Sequence, residues 1–475
     1  MKKLLFLSGV VLLLVSCAKD ADDIKNSEEV FAVDVSGSQL PYFKLEVAEV
    51  IQNEPKVPAV LKLFENKIKT LESTIGIEYR GSTSFRLSDK KSYGIEAWDA
   101  SGADTNIQLL DYPLGEDFIF TGQVLNVTDN WVWDATFLHH YLGYKWYAAM
   151  GHYASRTTFV DLEINGNYMG VYLLMEKLKE DGDRIDVDDL LPNENDELNI
   201  TGGYILKIDK TAGGDVAPGQ PLEYYLNNWG DDAKYTQDNS FRSAFDSYGQ
   251  QLNSEPFGGK TSQETYFLYE YPKSDRISDA QKAYIQNYIH EFEMALLNDD
   301  FNSANRTYTD YIDLESFVDY FIINELTKNV DGYRLSTYMH KDKGGKLKMG
   351  PIWDLNIAYN IGGRVPEDDW IINYNTYEPN DLWLVHFWWK RLMEDPQFKA
   401  ALKSRWTSLR ATVLSNEKIL GLVDEKSNYL IENGAIERNY SRWPITSFDY
   451  SSRIVDLKNF LSNRLNWMDS EIGSF

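Results

Sequence analysis

Between residues 75 and 97, apolar and polar positions alternate in two short runs, Ile75-Gly76-Ile77-Glu78-Tyr79-Arg80 and Ser92-Tyr93-Gly94-Ile95-Glu96. A two-residue period belongs to a half-buried strand, so two strands are predicted there, joined by a Gly/Ser/Thr turn. The period then lengthens. In Trp131–Met150 the residues Phe137, Tyr141, Tyr144 and Ala148 recur at helical spacing, which predicts a helix. Two further strands follow, Thr157–Ile164 and Gly170–Met175, joined through Asn165-Gly166-Asn167-Tyr168. Asn-Gly accepts positive φ and is the strongest short hairpin signal.

Residues 181–270 are looser, with an acidic stretch over Asp181–Asp196, one strand over Gly203–Ile208 and then a polar Gly/Asn/Ser-rich region. From Ser278 the pattern is helical. Ser278 and Gln281 make a capping box, and Tyr284, Tyr288 and Phe292 follow on one face. A second helix starts near Asp313, with Phe317, Tyr320, Phe321 and Asn324 aligned, and the last hundred residues carry helical patterns rich in Trp, Leu and Arg. Sheet first and helices second predict an α+β protein. Its length exceeds a single core, so two lobes are expected. The sheet-rich lobe takes 37–180, a lobe connection and insertion 181–275, and the helical lobe 276–475.

The first residues change the picture of compartment. Lys2 and Lys3 precede an apolar run, Leu4–Val15, that is too short to span a bilayer and reads as a secretory signal. Leu14-Val15-Ser16-Cys17 matches the lipobox of bacterial lipoproteins, which makes Cys17 the acylated residue and 1–17 the leader. Cys17 is the single cysteine of the 475 residues, so disulfides and thiolate metal sites are excluded from the mature fold. Residues 18–36 are polar and acidic and read as a flexible tether. The expectation is a cell-envelope lipoprotein of the outer membrane, surface-exposed if the acidic residues behind Cys17 act as an export signal.

Composition is ordinary for a globular chain, at 43% apolar and 25% charged. A net charge of −26 argues against nucleic acid or an anionic bilayer as partner, since both require a basic footprint. No Gly-x-Ser-x-Gly elbow, zincin His pair or Rossmann glycine pattern is present, and the six histidines lack metal-ligand spacing.

The chemistry concentrates in two segments. Asn329-Val330-Asp331-Gly332-Tyr333-Arg334 lies just past a helix, and Gly350-Pro351-Ile352-Trp353-Asp354-Leu355-Asn356 follows the strand predicted over Lys346–Ile352. Two carboxylates on separate loops behind one helix suit phosphoryl transfer, where one orients the nucleophile and the other binds a metal. Read singly, Asp331 is equally a turn former and Asp354 equally an N-cap.

Five segments, in order, carry a family resemblance: Arg80-Gly81-Ser82-Thr83-Ser84, Lys90-Lys91-Ser92-Tyr93, Asn165 to Tyr172, Gly203 to Lys207, and Gly350-Pro351-Ile352-Trp353-Asp354. Together with Asn130-Trp131, Asp134 and Arg405-Trp406, they resemble the CotH kinase family, spore-coat-protein-H-like proteins on a divergent protein-kinase fold. The resemblance implies ATP, Mg²⁺ or Mn²⁺, and phosphorylation of serine on a protein substrate in the envelope or outside the cell. It implies Asp331 as catalytic, Asp354 with Asn356 at the metal, Lys90 or Lys91 as the phosphate lysine, and Gly81, Ser82 and Ser84 in a loop over the phosphates.

Two departures stand out. The family's Asp-x-Asp is here Asp354-Leu355-Asn356, which removes one charge from the metal site. No helix glutamate is evident to pair with the lysine, leaving Asp134 and Glu176 as candidates. Two other functions compete. One is a kinase-like adhesin or assembly scaffold whose 13 Trp and 31 Tyr contact glycans or proteins. The other is a glycan hydrolase using Glu176 and Asp354 as paired carboxylates.

Overall fold

The computed structural model describes residues 29–211, 224 and 228–475. The leader, Cys17 and the first part of the tether lie outside the described residues. The chain is α+β. In order come β1 (Tyr42–Val47), β2 (Val57–Glu65), β3 (Ile68–Arg80), α1 (Thr83–Leu87), β4 (Ser92–Trp98), β5 (Asp117–Thr121), β6 (Leu125–Asn126), β7 (Trp131–Val132), α2 (His139–Ala149), β8 (Thr157–Ile164) and β9 (Asn167–Glu176). Then follow β10 (Tyr204–Ile208), β11 (Ser240–Arg242), β12 (Tyr266–Tyr271), α3 (Asp279–Leu297), α4 (Leu314–Thr327), β13 (Thr337–Lys341) and β14 (Leu347–Met349). The remainder is helical: α5 (Tyr374–Tyr377), α6 (Trp388–Leu392), α7 (Pro396–Arg410), α8 (Asn416–Glu432), α9 (Ala435–Arg442) and α10 (Tyr450–Gly473).

The first seven long strands close into a barrel in the order β1-β2-β3-β4-β5-β9-β8, sealed where β1 runs parallel to β8 with Tyr42 opposite Asp161. Alternation explains both faces of the wall. Phe118, Phe120, Val160, Leu162, Tyr172 and Leu174 fill the interior. Their neighbours Ile119, Phe159, Val171, Leu173 and Met175 face outward into a second, larger core that includes Leu142 of α2. The rings of Tyr141 and Phe159 meet at 5.5 Å. The β8–β9 hairpin turns as its sequence dictates, with Asn165 at φ +50° and Gly166 at φ +75°.

The helix predicted over Trp131–Met150 forms only from His139. Trp131 and Val132 pair instead with Leu125 and Asn126, and Phe137 takes φ +68°. Asp134 accepts the N–H groups of Thr136 at 3.0 Å and His139 at 2.9 Å, satisfying the helix start. The capping box at Ser278 and Gln281 is present, and Asp313 caps α4. The strand expected over Lys346–Ile352 is shorter, β14 alone.

A second sheet runs β11-β12-β10-β13-β14. Three of its five strands come from the segment 181–275, the stretch that sequence alone gives as connection and insertion. That segment contributes Lys207, Asp209, Lys210 and Glu270 to the wall of a cleft. Among the described residues, no helix is long and apolar enough to cross a membrane.

Candidate active site

A cleft of ≈ 520 Å³ opens where the end of β3, the centre of the second sheet and the loops after α4 and β14 converge. Asp331, Asp354, Asn356, Gly81, Ser82 and Ser84 all line it. Lys90 and Lys91 do not.

The Asp331 turn is held from the helix behind it. Lys328 takes φ +49° to end α4, the Asn329 N–H donates to the Asn324 carbonyl at 3.0 Å, and the buried Tyr320 hydroxyl donates to the Gly332 carbonyl at 2.6 Å. Arg334, one helical turn on, donates to Asp331 Oδ1 at 2.6 Å and to Asp381 Oδ1 at 3.1 Å, with its guanidinium 4.3 Å above the Tyr374 ring. Asp331 Oδ2 makes no hydrogen bond among the described residues.

The Asp354 turn rests on α2. Gly143 has no side chain because Leu355 packs there, and a Cβ would stand 2.3 Å from Leu355 Cδ2. The Leu355 N–H donates to His140 Nε2 at 3.1 Å, and the same ring nitrogen lies 3.8 Å from Asp354 Oδ1. Trp353 stacks on Tyr144 at 6.1 Å, and Asp354 itself takes φ +51°. Its Oδ1 accepts from Asn356 Nδ2 at 2.5 Å.

Lys177, Lys207 and Lys210 line the cleft, and Lys207 on β10 stands at the centre of the second sheet. Its ammonium meets Glu270 at 2.9 Å. Glu270 is the extra residue of a bulge: Ile205 pairs with Tyr271 and Leu206 with Tyr269, which leaves position 270 unpaired in the ladder. Burial alone would push the Lys207 ammonium down. Glu270, with Tyr338 and Asp209, outweighs that and holds it above the ordinary lysine range. Asp209, two residues on, is raised by burial and by Asp354 across the cleft, against the pull of Lys207.

Lys90 is therefore corrected. It is buried at the barrel's outer wall, donating to the Val171 carbonyl and, at 2.7 Å, to Asn439 Oδ1, with the Tyr172 ring at 4.6 Å. Lys91 is turned back onto the carbonyls of Phe85 and Ser88, at 2.7 and 2.8 Å. Neither candidate partner reaches the cleft. Asp134 caps α2, and Glu176 is buried in ion pairs with Arg156 at 3.0 Å and Arg184 at 3.3 Å. With Glu176 locked there, the paired-carboxylate hydrolase loses its geometry. One discriminating result is expected: Lys207→Met abolishes ligand binding in the cleft, whereas Lys90→Met leaves it intact and lowers stability, both read by thermal melting with and without ligand.

Gly81 takes φ +91°, and a Cβ there would lie 2.1 Å from Ser84 Oγ, so glycine lets the turn close tightly. The turn is pinned from outside the barrel by the buried pair of Arg86 with Asp232, 2.5 Å apart. Ser82 Oγ accepts from the same guanidinium.

Among the described residues no group of three or more His, Cys, Asp or Glu side chains is placed to hold a metal. Asp354 and Asn356 still offer two hard oxygen donors on one turn. That set fits Mg²⁺ or Mn²⁺ bound through one or two protein oxygens, with phosphates and water supplying the rest.

Sequence reasoning missed Lys207, Asp209, Glu270, Arg334 and Asp381. The signal for Lys207 was present, a lone charge inside the apolar strand Tyr204–Ile208. Nothing local marked Glu270, because its role depends on a ladder irregularity between distant segments. No curated protein matches the chain closely enough to count as a relative. The profile described as "CotH kinase protein" matches residues 77–468, which takes in the barrel from the end of β3 onward, the second sheet and every residue lining the cleft. The chain belongs to the CotH kinase family.

Proposed function

We propose that this protein is an atypical kinase that transfers phosphate from ATP to serine of a protein substrate, on a two-lobed divergent kinase fold with the barrel in the first lobe. The reading is supported above all by the meeting of Asp331, Asp354, Asn356 and the ion-paired Lys207 in one cleft. Asp331 is positioned by Arg334 at Oδ1, which leaves Oδ2 to accept the proton of the serine hydroxyl as its oxygen attacks the terminal phosphorus and ADP departs. Lys207 stays charged beside Glu270 and offers its ammonium to the phosphates. Asp354 and Asn356 are the residues that would hold Mg²⁺ or Mn²⁺, whose charge offsets that of the phosphates.

The scaffold alternative gains less support from the surface. Among the described residues, the large aromatics that are well exposed are Tyr248 and Tyr377. Mg²⁺-dependent stabilisation by ATP, together with transfer of labelled phosphate to envelope proteins, is the expected result. A folded wild-type protein that shows neither at millimolar nucleotide would leave the scaffold reading in its place.

The same reading puts the protein in the cell envelope as a lipoprotein anchored through Cys17. Cys17→Ala is expected to end incorporation of labelled fatty acid and to move the protein from the membrane to the soluble fraction. Unchanged labelling would remove the anchor.

A further inference from the structure

The cleft is lined by both signs of charge although the protein as a whole is acidic, its acids being Asp209, Glu270, Asp331, Asp354 and Asp381. Six of its lining side chains are Lys or Arg, in a chain of net charge −26. Four of the six are met by carboxylates: Lys207 by Glu270, Lys177 by Asp117, Arg334 by Asp331 and Asp381, and Arg364 by Asp381 and Glu378. Arg80 and Lys210 are not. Among the described residues neither forms an ion pair, and Lys210 donates to a neutral partner, Thr83 Oγ1, at 2.8 Å.

These two residues stand on either side of the Gly81 turn. Lys210 follows the cleft acid Asp209 and lies 5.2 Å over the Trp383 ring, on the cleft wall. Arg80 ends β3, and its stem lies across Gly94 of β4, where a Cβ would come within 3.0 Å of Arg80 Cδ. Arg80 and Tyr338, on β13, line the same cleft. The side chains of Arg80 and Lys210 are both partly withdrawn from water. Two like charges in a partly dry cleft, neither in an ion pair among the described residues, make a place where an anionic ligand would be held by charge-assisted hydrogen bonds.

We propose that Arg80 and Lys210 are the phosphate-chain grip of this cleft, so that affinity follows the number of phosphates on the ligand more than the base attached to them. The inference rests on the kinase reading for its setting, but its ligand chemistry, a short polyphosphate, is independent of the nucleoside. Lys207, locked to Glu270, supplies a fixed charge; Arg80 and Lys210 supply the charges that remain to be neutralised.

The test is titration calorimetry of the mature protein with inorganic tripolyphosphate, ATP and AMP, each with Mg²⁺. Wild type should bind tripolyphosphate and ATP with similar affinity and AMP about 100-fold more weakly. Arg80→Gln and Lys210→Met should each weaken tripolyphosphate and ATP by about tenfold and AMP by less than about twofold, with Arg80→Lys recovering part of the loss. Melting curves establish that the variants are folded, and if Arg80→Gln fails to fold, Lys210→Met alone decides. Wild-type affinity in a folded Lys210→Met overturns the grip and leaves the kinase reading standing. Tripolyphosphate binding that falls in the variants, with no nucleotide binding at all, keeps the grip and removes the kinase reading. A wild type that binds neither ligand overturns both.

Discussion

Asp331→Asn is expected to lower the rate of phosphoryl transfer by ~10²–10⁴-fold, the range of a lost general base, with affinity for Mg²⁺-ATP changed by less than about twofold. The substitution keeps the shape that receives Arg334 and removes the lone pair that takes the serine proton. Arg334 would still be held by Asp381 at 3.1 Å, so the turn should keep its conformation. Single-turnover transfer of labelled phosphate, measured beside nucleotide titration, separates the two effects. Equal losses in binding and rate would mean that Asp331 shapes the cleft without receiving a proton. Asp354→Ala should behave differently and lose the metal-dependent part of nucleotide binding itself, because its oxygen belongs to the ground state as well.

The largest effect on stability is expected far from the cleft mouth. Arg464, in the middle of α10, is fully buried and donates to Glu325 Oε2 at 2.9 Å, to the Glu325 carbonyl at 2.8 Å, and to the carbonyls of Glu367 and Asp369 at 2.8 and 3.0 Å. Glu325 in turn accepts the N–H groups of Ile371 at 2.8 Å and Ile372 at 3.3 Å. Arg464→Met leaves a buried carboxylate without its counter-ion, and such a break costs ~3–5 kcal/mol. The loss should appear as a lower guanidinium midpoint at unchanged slope. Because Glu325 lies on the last turn of α4, six residues before Asp331, the same variant should also loosen the catalytic turn. The double change Glu325→Leu with Arg464→Met should recover part of the loss, since the two buried charges are removed together and only Lys328 is left facing the site. A single variant as stable as wild type would show that water reaches this pair.

Local features were legible in the sequence wherever neighbouring residues carried the cause. The Asn165-Gly166 hairpin, the Ser278 capping box and the Asp313 cap depend on side chains within a few positions of the backbone they satisfy. The Asp331 and Asp354 turns were legible for the same reason, and both line the cleft. The Trp131–Met150 helix was misjudged at its start. Helical spacing of aromatics there was outweighed by the pairing of Trp131 and Val132 with residues 125 and 126.

The phosphate lysine shows where local reading fails. Lys90 sits in the polar loop before β4, and its burial is real, but it faces Val171 and Asn439. Which groups Lys90 meets is decided by the packing of β9 and α9 against it, and Val171 and Asn439 lie 81 and 349 residues away in sequence.

Sequence by itself thus determined the α+β order, the two acidic turns and the glycine turn at 81, since each follows from short-range sterics and hydrogen bonding. Tertiary structure alone decided that Lys207 and not Lys90 faces those acids, that a bulge brings Glu270 to it, and that Arg80 and Lys210 form no ion pair among the described residues. The physical reason is that charge pairing acts through space between segments brought together by sheet closure, and no local pattern records which partners that closure will bring within 3 or 4 Å.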